Sequence, residues 1–167
     1  MGISIIPSIF TLANLIFGVL SLYYTMLDKF LLASIMILIC MVMDGLDGRI
    51  ARKLDVSSSF GKELDSLADL VSFGVAPALL IFSQILFPFE WIGLFTVIWF
   101  IVAGALRLAR FNVIETTGYF LGMPITAAGS LLALLSLMSG KMMPFVYLVL
   151  VIMLGLLMVS NIKMPKY

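Results

Sequence analysis

The sequence contains no histidine, a single cysteine and few charged residues, and each shortage excludes a class of protein. Without histidine, any proton transfer must use a carboxylate, a lysine, a tyrosine or the lone Cys40. One cysteine excludes an internal disulfide and a thiolate metal cluster, and the simplest interpretation of Cys40 is a packed core residue. The net charge of +1 lacks the clustered basic excess that nucleic-acid binding requires.

The shortage of charge also excludes a soluble domain. Of the 167 residues, 63% are hydrophobic and only 11% are charged, and the mean hydropathy is +1.22. A soluble chain of this size needs more polar surface than these residues supply. The composition therefore predicts a polytopic membrane protein.

Six apolar stretches have the length of membrane-crossing helices, which need about 20 residues for ~30 Å of hydrocarbon. They cover residues 7–27, 30–52, 60–83, 90–112, 122–139 and 143–161. A bilayer satisfies backbone polar groups only within a helix or a closed barrel, and these runs lack the two-residue alternation of barrel strands. No connection is long enough to separate domains. We therefore predict an all-α fold, a single integral membrane domain over residues 1–167 that bundles six transmembrane helices.

Lysine and arginine are distributed unevenly between the two ends of the predicted helices. If the connection between the second and third helices faces the cytoplasm, eight basic residues lie on that side and two on the other. The eight are Arg49, Arg52, Lys53, Lys62, Arg107, Arg110, Lys163 and Lys166, and the two are Lys29 and Lys141. Short loops rich in lysine and arginine stay cytoplasmic. We expect a multi-pass protein of the cell membrane with both termini in the cytoplasm and, since the first residues lack signal-peptide features, no cleaved leader.

Four aspartates interrupt the apolar pattern of the second and third helices. Asp44 and Asp47 are three residues apart and Asp65 and Asp69 are four apart, so each pair lies on one helix face. At 1.5 Å per residue, Asp44 lies roughly 13 Å from Lys53 and Asp69 roughly 12 Å from Gly61, which puts both pairs at a similar depth. An ionised carboxylate far inside a bilayer costs at least about 2.5 kcal/mol. Four carboxylates aimed at one point therefore need compensation.

Protonation or a divalent cation is the usual compensation for converging carboxylates. An all-oxygen ligand set suits Mg²⁺, Mn²⁺ or Ca²⁺, whereas the lack of histidine and of paired cysteines argues against zinc. Glycine weakens a helix, so we expect the glycines beside the aspartates to allow close approach of a ligand or another backbone. These glycines are Gly45, Gly48 and Gly61. The alternative is that the aspartates form interfacial ion pairs with Arg49, Arg52 and Lys62.

The aspartates belong to a longer pattern of eight specified positions. It runs Asp44-x-x-Asp47-Gly48-x-x-Ala51-Arg52, then eight residues, then Gly61-x-x-x-Asp65-x-x-x-Asp69. This pattern resembles the complete signature of the CDP-alcohol phosphotransferase family, and the six-helix layout is similar over most of the chain. The resemblance implies an enzyme that transfers a phosphatidyl-type group from a CDP-linked lipid to an alcohol and releases CMP.

The same resemblance implies roles for individual residues. Two Mg²⁺ or Mn²⁺ ions on the pyrophosphate would be held by Asp44, Asp47, Asp65 and Asp69. Asp69 would also be the catalytic base, in an active site that opens to the cytoplasm. The CDP-lipid would be bound by Gly48, Ala51, Arg52 and Gly61. Independent chemistry agrees, because a hydroxyl that attacks a pyrophosphate needs charge neutralisation and a proton acceptor.

Three further stretches resemble the phosphatidylserine synthase branch of this family, which implies L-serine as the acceptor. They are Asp65–Leu80, Leu106–Asn112 and Gly122–Gly129. Arg107 and Arg110 are three residues apart at the inner end of the fourth helix, and guanidinium groups suit bidentate recognition of a carboxylate. We therefore predict that these two arginines bind serine. Glycerol 3-phosphate or an inositol phosphate brings a phosphate that arginine binds equally well, and snorkelling at a cytoplasmic helix end also explains both residues.

Asn14 is a polar residue inside the first predicted span. The stretch Pro7–Asn14 resembles the first-helix element of the same branch, with Ser8 where relatives commonly have asparagine. Asn14 is therefore predicted to contact the CDP-lipid, and a simple interhelical hydrogen bond is the alternative.

A divalent-cation transporter is an alternative from another class, since intramembrane aspartates on two helices can also form an ion path. Against it, the outer halves of the same helices are apolar around Ile35–Ile37 and Leu79–Ile81 and offer no ligands there. The predicted partners are a CDP-linked lipid, L-serine and membrane lipids, and the resemblance adds a homodimer.

Overall fold

Long helices account for nearly all of the fold. The computed structural model describes residues 5–54, 59–113 and 119–165. Within these ranges the chain forms six helical rods, of which the third, from Ser59 to Phe89, is composite. The other five are α1 (Ile5–Met26), α2 (Phe30–Leu54), α5 (Glu90–Val113), α6 (Ile125–Leu137) and α7 (Pro144–Val159). The predicted all-helical class is confirmed.

The third rod changes its winding four times along its length. Its segments are α3 (Ser59–Asp69), a π-helical turn (Leu70–Val75), α4 (Ala76–Ile81), a second π-helical turn (Phe82–Leu86) and a 3₁₀ turn (Phe87–Phe89). A π-helical turn rotates the side chains that follow it relative to a regular α-helix, and such turns are frequent at functional sites. The first π-helical turn begins directly after Asp69.

The third rod and α5 meet at a sharp reversal of the chain. Together they form a helical run of 55 residues, Ser59–Val113, which would be about 80 Å long if it were straight. Pro88 and Glu90 interrupt it, and the φ angle of +46° at Glu90 turns the backbone out of the helical region. α5 then packs back against α4 and both π-helical turns. The interruption between the third and fourth predicted stretches, 60–83 and 90–112, is confirmed and lies at Pro88–Glu90.

Close helix packing positions the first π-helical turn. α1, α5 and α6 all pack against this turn, and Phe73 within it is fully buried. A Cβ atom added at Gly18 of α1 would collide with Ser72, and one added at Gly129 of α6 would collide with the backbone carbonyl of Phe73. Glycine at both positions therefore lets the two helices approach the turn closely.

A short antiparallel ribbon joins the segment before α6 to the end of the chain. Strand β1 (Tyr119–Leu121) pairs with β2 (Lys163–Pro165), with Phe120 opposite Met164. Gly122 follows β1 with a φ angle of +74°, and its N–H donates to the carbonyl of Ile162 at 3.0 Å. The sequence pattern did not predict this ribbon, and it is the one addition within the described residues to an otherwise helical fold.

Two stretches are long and apolar enough to cross a membrane by length and composition alone, Ile9–Met26 and Ser59–Val113. The second comprises the third rod and α5. Three shorter apolar helices accompany them: Phe30–Leu46, Ile125–Leu137 and Pro144–Val159. The six predicted spans match the six rods within a few residues, except that the third rod continues to Phe89. Six membrane crossings stay a prediction.

Candidate active site

Helices α2 and α3 bring three of the four predicted aspartates together. Carboxylate oxygens of Asp44, Asp65 and Asp69 all lie within 4.8 Å of one another. Asp69 is buried, and the other two are half-buried. Asp47 belongs to the same helix as Asp44, but its side chain lies outside the described part of the structure, as do the side chains of Ala51 and Arg52.

The carboxylate triad, Asp44, Asp65 and Asp69, fits a divalent cation. At a separation of 4.8 Å and an effective dielectric constant of 20, two ionised carboxylates repel each other by about 3.5 kcal/mol. Oδ1 of Asp65 is buried and has no hydrogen-bond partner among the described residues. Three carboxylates, one with an unpartnered oxygen, form the hard oxygen donor set that Mg²⁺ and Mn²⁺ prefer.

The glycines of α2 leave space beside the triad. A Cβ atom added at Gly45 or Gly48 meets no described atom within 4 Å. The sequence suggested two uses for these glycines, close approach of another backbone or of a ligand. No described helix packs against the Cβ position of either glycine, so approach of a ligand is the use that we retain. Gly61 is half-buried near the start of α3. Contacts of Gly48 and Gly61 with a CDP-lipid stay predictions.

Asn14 of α1 is fully buried next to the triad. Its Nδ2 donates a hydrogen bond to Oδ1 of Asp69 at 3.2 Å. Its backbone carbonyl accepts hydrogen bonds from Ser72 Oγ at 3.0 Å and from Cys40 Sγ at 3.2 Å. The interhelical hydrogen bond considered as an alternative is therefore present, and a contact with the CDP-lipid stays a prediction.

Arg107 of α5 is half-buried. Its charge interacts with that of Asp69, and its guanidinium carbon lies 5.7 Å from the ring centroid of Phe111. Its Nε is buried and has no hydrogen-bond partner among the residues that the structure describes. A guanidinium whose buried Nε–H has no described partner is suited to bind an anionic group close to Asp69.

Arg110, one turn further along α5, binds the end of α7 instead. Its NH1 donates to Asn161 Oδ1 at 3.0 Å and to the carbonyl of Val159 at 3.4 Å, and its NH2 donates to the carbonyl of Ser160 at 3.0 Å. The last carbonyls of a helix lack partners within the helix, and a cation there also complements the helix dipole. Arg107 and Arg110 thus have different partners, and serine binding by either stays a prediction.

A group of hydrogen-bonded polar side chains between α3 and α5 was not predicted from the sequence. Asn112 Nδ2 donates to Ser66 Oγ at 3.1 Å and to Glu63 Oε1 at 3.4 Å. Glu63 and Ser66 precede Asp69 at intervals of three residues, so all three lie on neighbouring positions of one helix face. That spacing was visible in the sequence and could have revealed which face of α3 meets α5.

Comparison with known proteins gives a consistent result. A family model described as CDP-alcohol phosphatidyltransferase matches residues 4–162. The CDP-diacylglycerol–serine O-phosphatidyltransferase of Helicobacter pylori is 38% identical, over 96% of this chain and 72% of its own length. The Bacillus subtilis protein of the same name is 38% identical, over 97% of this chain and 90% of its own length. The Methanocaldococcus jannaschii protein of that name is 42% identical, over 94% and 72% respectively.

Proposed function

Since the chain belongs to the CDP-alcohol phosphatidyltransferase family, we propose that it transfers the phosphatidyl group of CDP-diacylglycerol to the hydroxyl of L-serine and releases CMP. The names of its relatives support both substrates. The observation that carries the proposal is the carboxylate triad, because transfer from a pyrophosphate requires charge neutralisation and a proton acceptor at one place. The protein is a transferase of phospholipid biosynthesis.

Two Mg²⁺ or Mn²⁺ ions would be held by the triad, Asp44, Asp65 and Asp69, together with Asp47. Bound there, divalent ions neutralise the charge that develops on the pyrophosphate oxygens during transfer. The unpartnered Oδ1 of Asp65 supports this assignment, because a buried carboxylate oxygen otherwise keeps its full desolvation cost.

Asp69 is the base of the reaction. The serine hydroxyl oxygen forms a bond to the phosphorus that carries the diacylglycerol, and its proton passes to the Asp69 carboxylate. The bond from that phosphorus to the bridging oxygen breaks, and CMP leaves with this oxygen. Asp69 is suited to the role because it is buried beside the other two carboxylates and hydrogen-bonded to Asn14. The chain has no histidine that could act instead.

Arg107 binds the serine carboxylate in this proposal, since its charge already interacts with that of Asp69 and its Nε has no described partner. Arg110 can contribute the N–H groups that its bonds to the end of α7 leave over. The CDP-lipid is bound at the open side of α2 by Gly48 and by the other residues of the family signature that are not aspartates: Ala51, Arg52 and Gly61.

We also propose that the six rods cross the cell membrane with the triad and both termini on the cytoplasmic side. The two lysines expected outside support this orientation, because both lie at the end of the bundle away from the triad. Lys29 lines a cavity together with Gln84, and Gln84 Nε2 donates to Ser139 Oγ, two residues before Lys141, at 2.8 Å. A homodimer, tested by light scattering of the detergent complex, completes the proposal.

The direct test is CMP release by the purified protein in detergent with CDP-diacylglycerol and Mn²⁺. L-serine, glycerol 3-phosphate and inositol phosphate are supplied in parallel, and Asp69→Asn serves as the inactive control. We expect CMP to appear with serine alone. CMP release with another acceptor would support the transferase activity but would identify that acceptor, rather than serine, as the substrate. No release with any acceptor, together with Mn²⁺ flux into liposomes, would contradict the enzyme assignment and favour the cation transporter.

A further inference from the structure

We propose that Asn14 is a positioning residue that holds the Asp69 carboxylate in its reactive orientation. The inference rests on the proposed function, in which Asp69 accepts the serine proton. It gives Asn14 a different task from the CDP-lipid contact expected from the sequence, because its amide reaches the base itself.

The contacts of Asn14 tie three helical elements to one residue. The residue lies on α1, and its side-chain Nδ2 donates to Asp69 at the end of α3. Its backbone carbonyl accepts hydrogen bonds from Ser72 in the π-helical turn and from Cys40 on α2. Gly18, one turn further along α1, fits against Ser72 with no room for a Cβ atom. The backbone of Asn14 is thereby fixed relative to Asp69, so the amide has a defined direction.

The charge of the triad determines which end of the amide faces Asp69. With Nδ2 toward the carboxylate, the amide donates a hydrogen bond at 3.2 Å to Oδ1 of Asp69. The opposite orientation would put the partial negative charge of the amide oxygen against a carboxylate that already has two like neighbours. Asn14 Oδ1 accordingly has no hydrogen-bond partner among the described residues, although it is buried. This buried acceptor is left unsatisfied while the amide donates to the base.

A donor of this kind is needed because an aspartate χ2 angle is only broadly restrained. Repulsion from Asp44 and Asp65 would rotate the Asp69 carboxylate away from the substrate unless a hydrogen bond held it. A neutral amide can hold it without adding a charge that would compete for the carboxylate. Removal of such an outer partner typically costs tenfold to a hundredfold in metal affinity or activity.

The test compares Asn14→Ala, the isosteric Asn14→Asp and a matched control, Ser21→Ala. Ser21 is buried on the same helix, and its Oγ donates to the carbonyl of Ala33 at 2.9 Å, so the control also loses one buried interhelical hydrogen bond. For Asn14→Ala we expect kcat to fall roughly tenfold to a hundredfold with the KM for serine and CDP-diacylglycerol nearly unchanged. Ser21→Ala should keep the kcat of the wild type.

Two readouts do not depend on turnover. Mn²⁺ binding to the purified protein, measured by titration, should be roughly tenfold weaker for Asn14→Ala than for Ser21→Ala, because the carboxylate that ligates the ion is no longer held. For Asn14→Asp, an added carboxylate faces Asp69, so the rise in Tm on adding Mn²⁺ should exceed that of the wild type. Both readouts test the role of Asn14 even if the wild type fails to release CMP with serine. That failure would contradict the proposed function and not the role of Asn14.

Three results would overturn the inference. The first is a raised KM for CDP-diacylglycerol in Asn14→Ala at wild-type kcat, which would make the amide a lipid contact. The second is an equal loss of kcat in Asn14→Ala and Ser21→Ala, which would indicate a general structural role. The third is unchanged Mn²⁺ affinity in Asn14→Ala together with an unchanged Mn²⁺ effect on the Tm of Asn14→Asp.

Discussion

Replacement of Asp65 by asparagine should stabilise the protein without metal and destabilise it, relative to wild type, with metal. Asp65 is the most informative triad member to change, because its Oδ1 has no described hydrogen-bond partner to lose. Asp65→Asn keeps the shape of the side chain and removes one negative charge. The sign of its effect on stability therefore reports what holds the three carboxylates together.

The size of the expected change in stability follows from the distances between the carboxylate oxygens. Asp65 takes part in two of the three carboxylate pairs, each with oxygens within 4.8 Å, so its neutralisation removes about 7 kcal/mol of repulsion at an effective dielectric constant of 20 if all three are ionised. Proton uptake by the wild type relieves part of this repulsion beforehand. We expect about 1–3 kcal/mol to remain, which corresponds to a rise in Tm on the order of 5 °C.

The assay is thermal unfolding of the purified protein in detergent, with chelator and with saturating Mn²⁺. Wild type should gain Tm on Mn²⁺ addition, and Asp65→Asn should gain far less because one ligand is missing, so the order of the two proteins reverses. Glu63→Gln is the matched control: it makes the same change of charge on the same helix, at an exposed site outside the triad. A lower Tm of Asp65→Asn in chelator would refute the argument that repulsion dominates the metal-free site.

The remaining predictions concern activity and packing. Chelator should abolish CMP release, and added Mg²⁺ or Mn²⁺ should restore it. Asp44→Asn should lower kcat more than tenfold. Full activity in chelator, with metal shown to be absent, would contradict the metal site. Arg107→Ala should raise the serine KM roughly tenfold to a hundredfold with little change for CDP-diacylglycerol, whereas Arg110→Ala should also lower Tm because it frees the α7 carbonyls. A wild-type serine KM in both folded variants would favour snorkelling. Gly129→Ala should cost about 1–3 kcal/mol by collision with a backbone carbonyl, and Gly45→Ala, with open space around it, should not lower Tm.

Helix number and bounds were predictable because apolar run length and polar breaks determine them directly. The reversal at Pro88–Glu90 combines a proline with a charged residue, and both are visible in the sequence. The π-helical turns at Leu70–Val75 and Phe82–Leu86 were not predictable, because neither segment has a composition that distinguishes it from an α-helix. The ribbon between Tyr119–Leu121 and Lys163–Pro165 depends on tertiary proximity that neither segment encodes alone.

Some features of the candidate site were also predictable from the sequence, and others were not. Spacing on two helices was enough to predict that aspartates converge, as Asp44, Asp65 and Asp69 do. The partners of Asn14 and Arg110 could not be predicted, because each depends on the rotation of one helix about its axis relative to another. A spacing of three residues made two arginines neighbours on α5, but it could not distinguish Arg107, whose charge interacts with that of Asp69, from Arg110, which is bound to the end of α7.

In the proposed reaction, the serine hydroxyl attacks the phosphorus that carries the diacylglycerol. L-serine labelled with ¹⁸O in its hydroxyl group tests it directly, when the purified protein, CDP-diacylglycerol and Mn²⁺ are incubated and both products are analysed by mass spectrometry. Attack at this phosphorus should give phosphatidylserine that retains the ¹⁸O and CMP that contains none. Formation of phosphatidic acid without phosphatidylserine, or of labelled CMP, would contradict it.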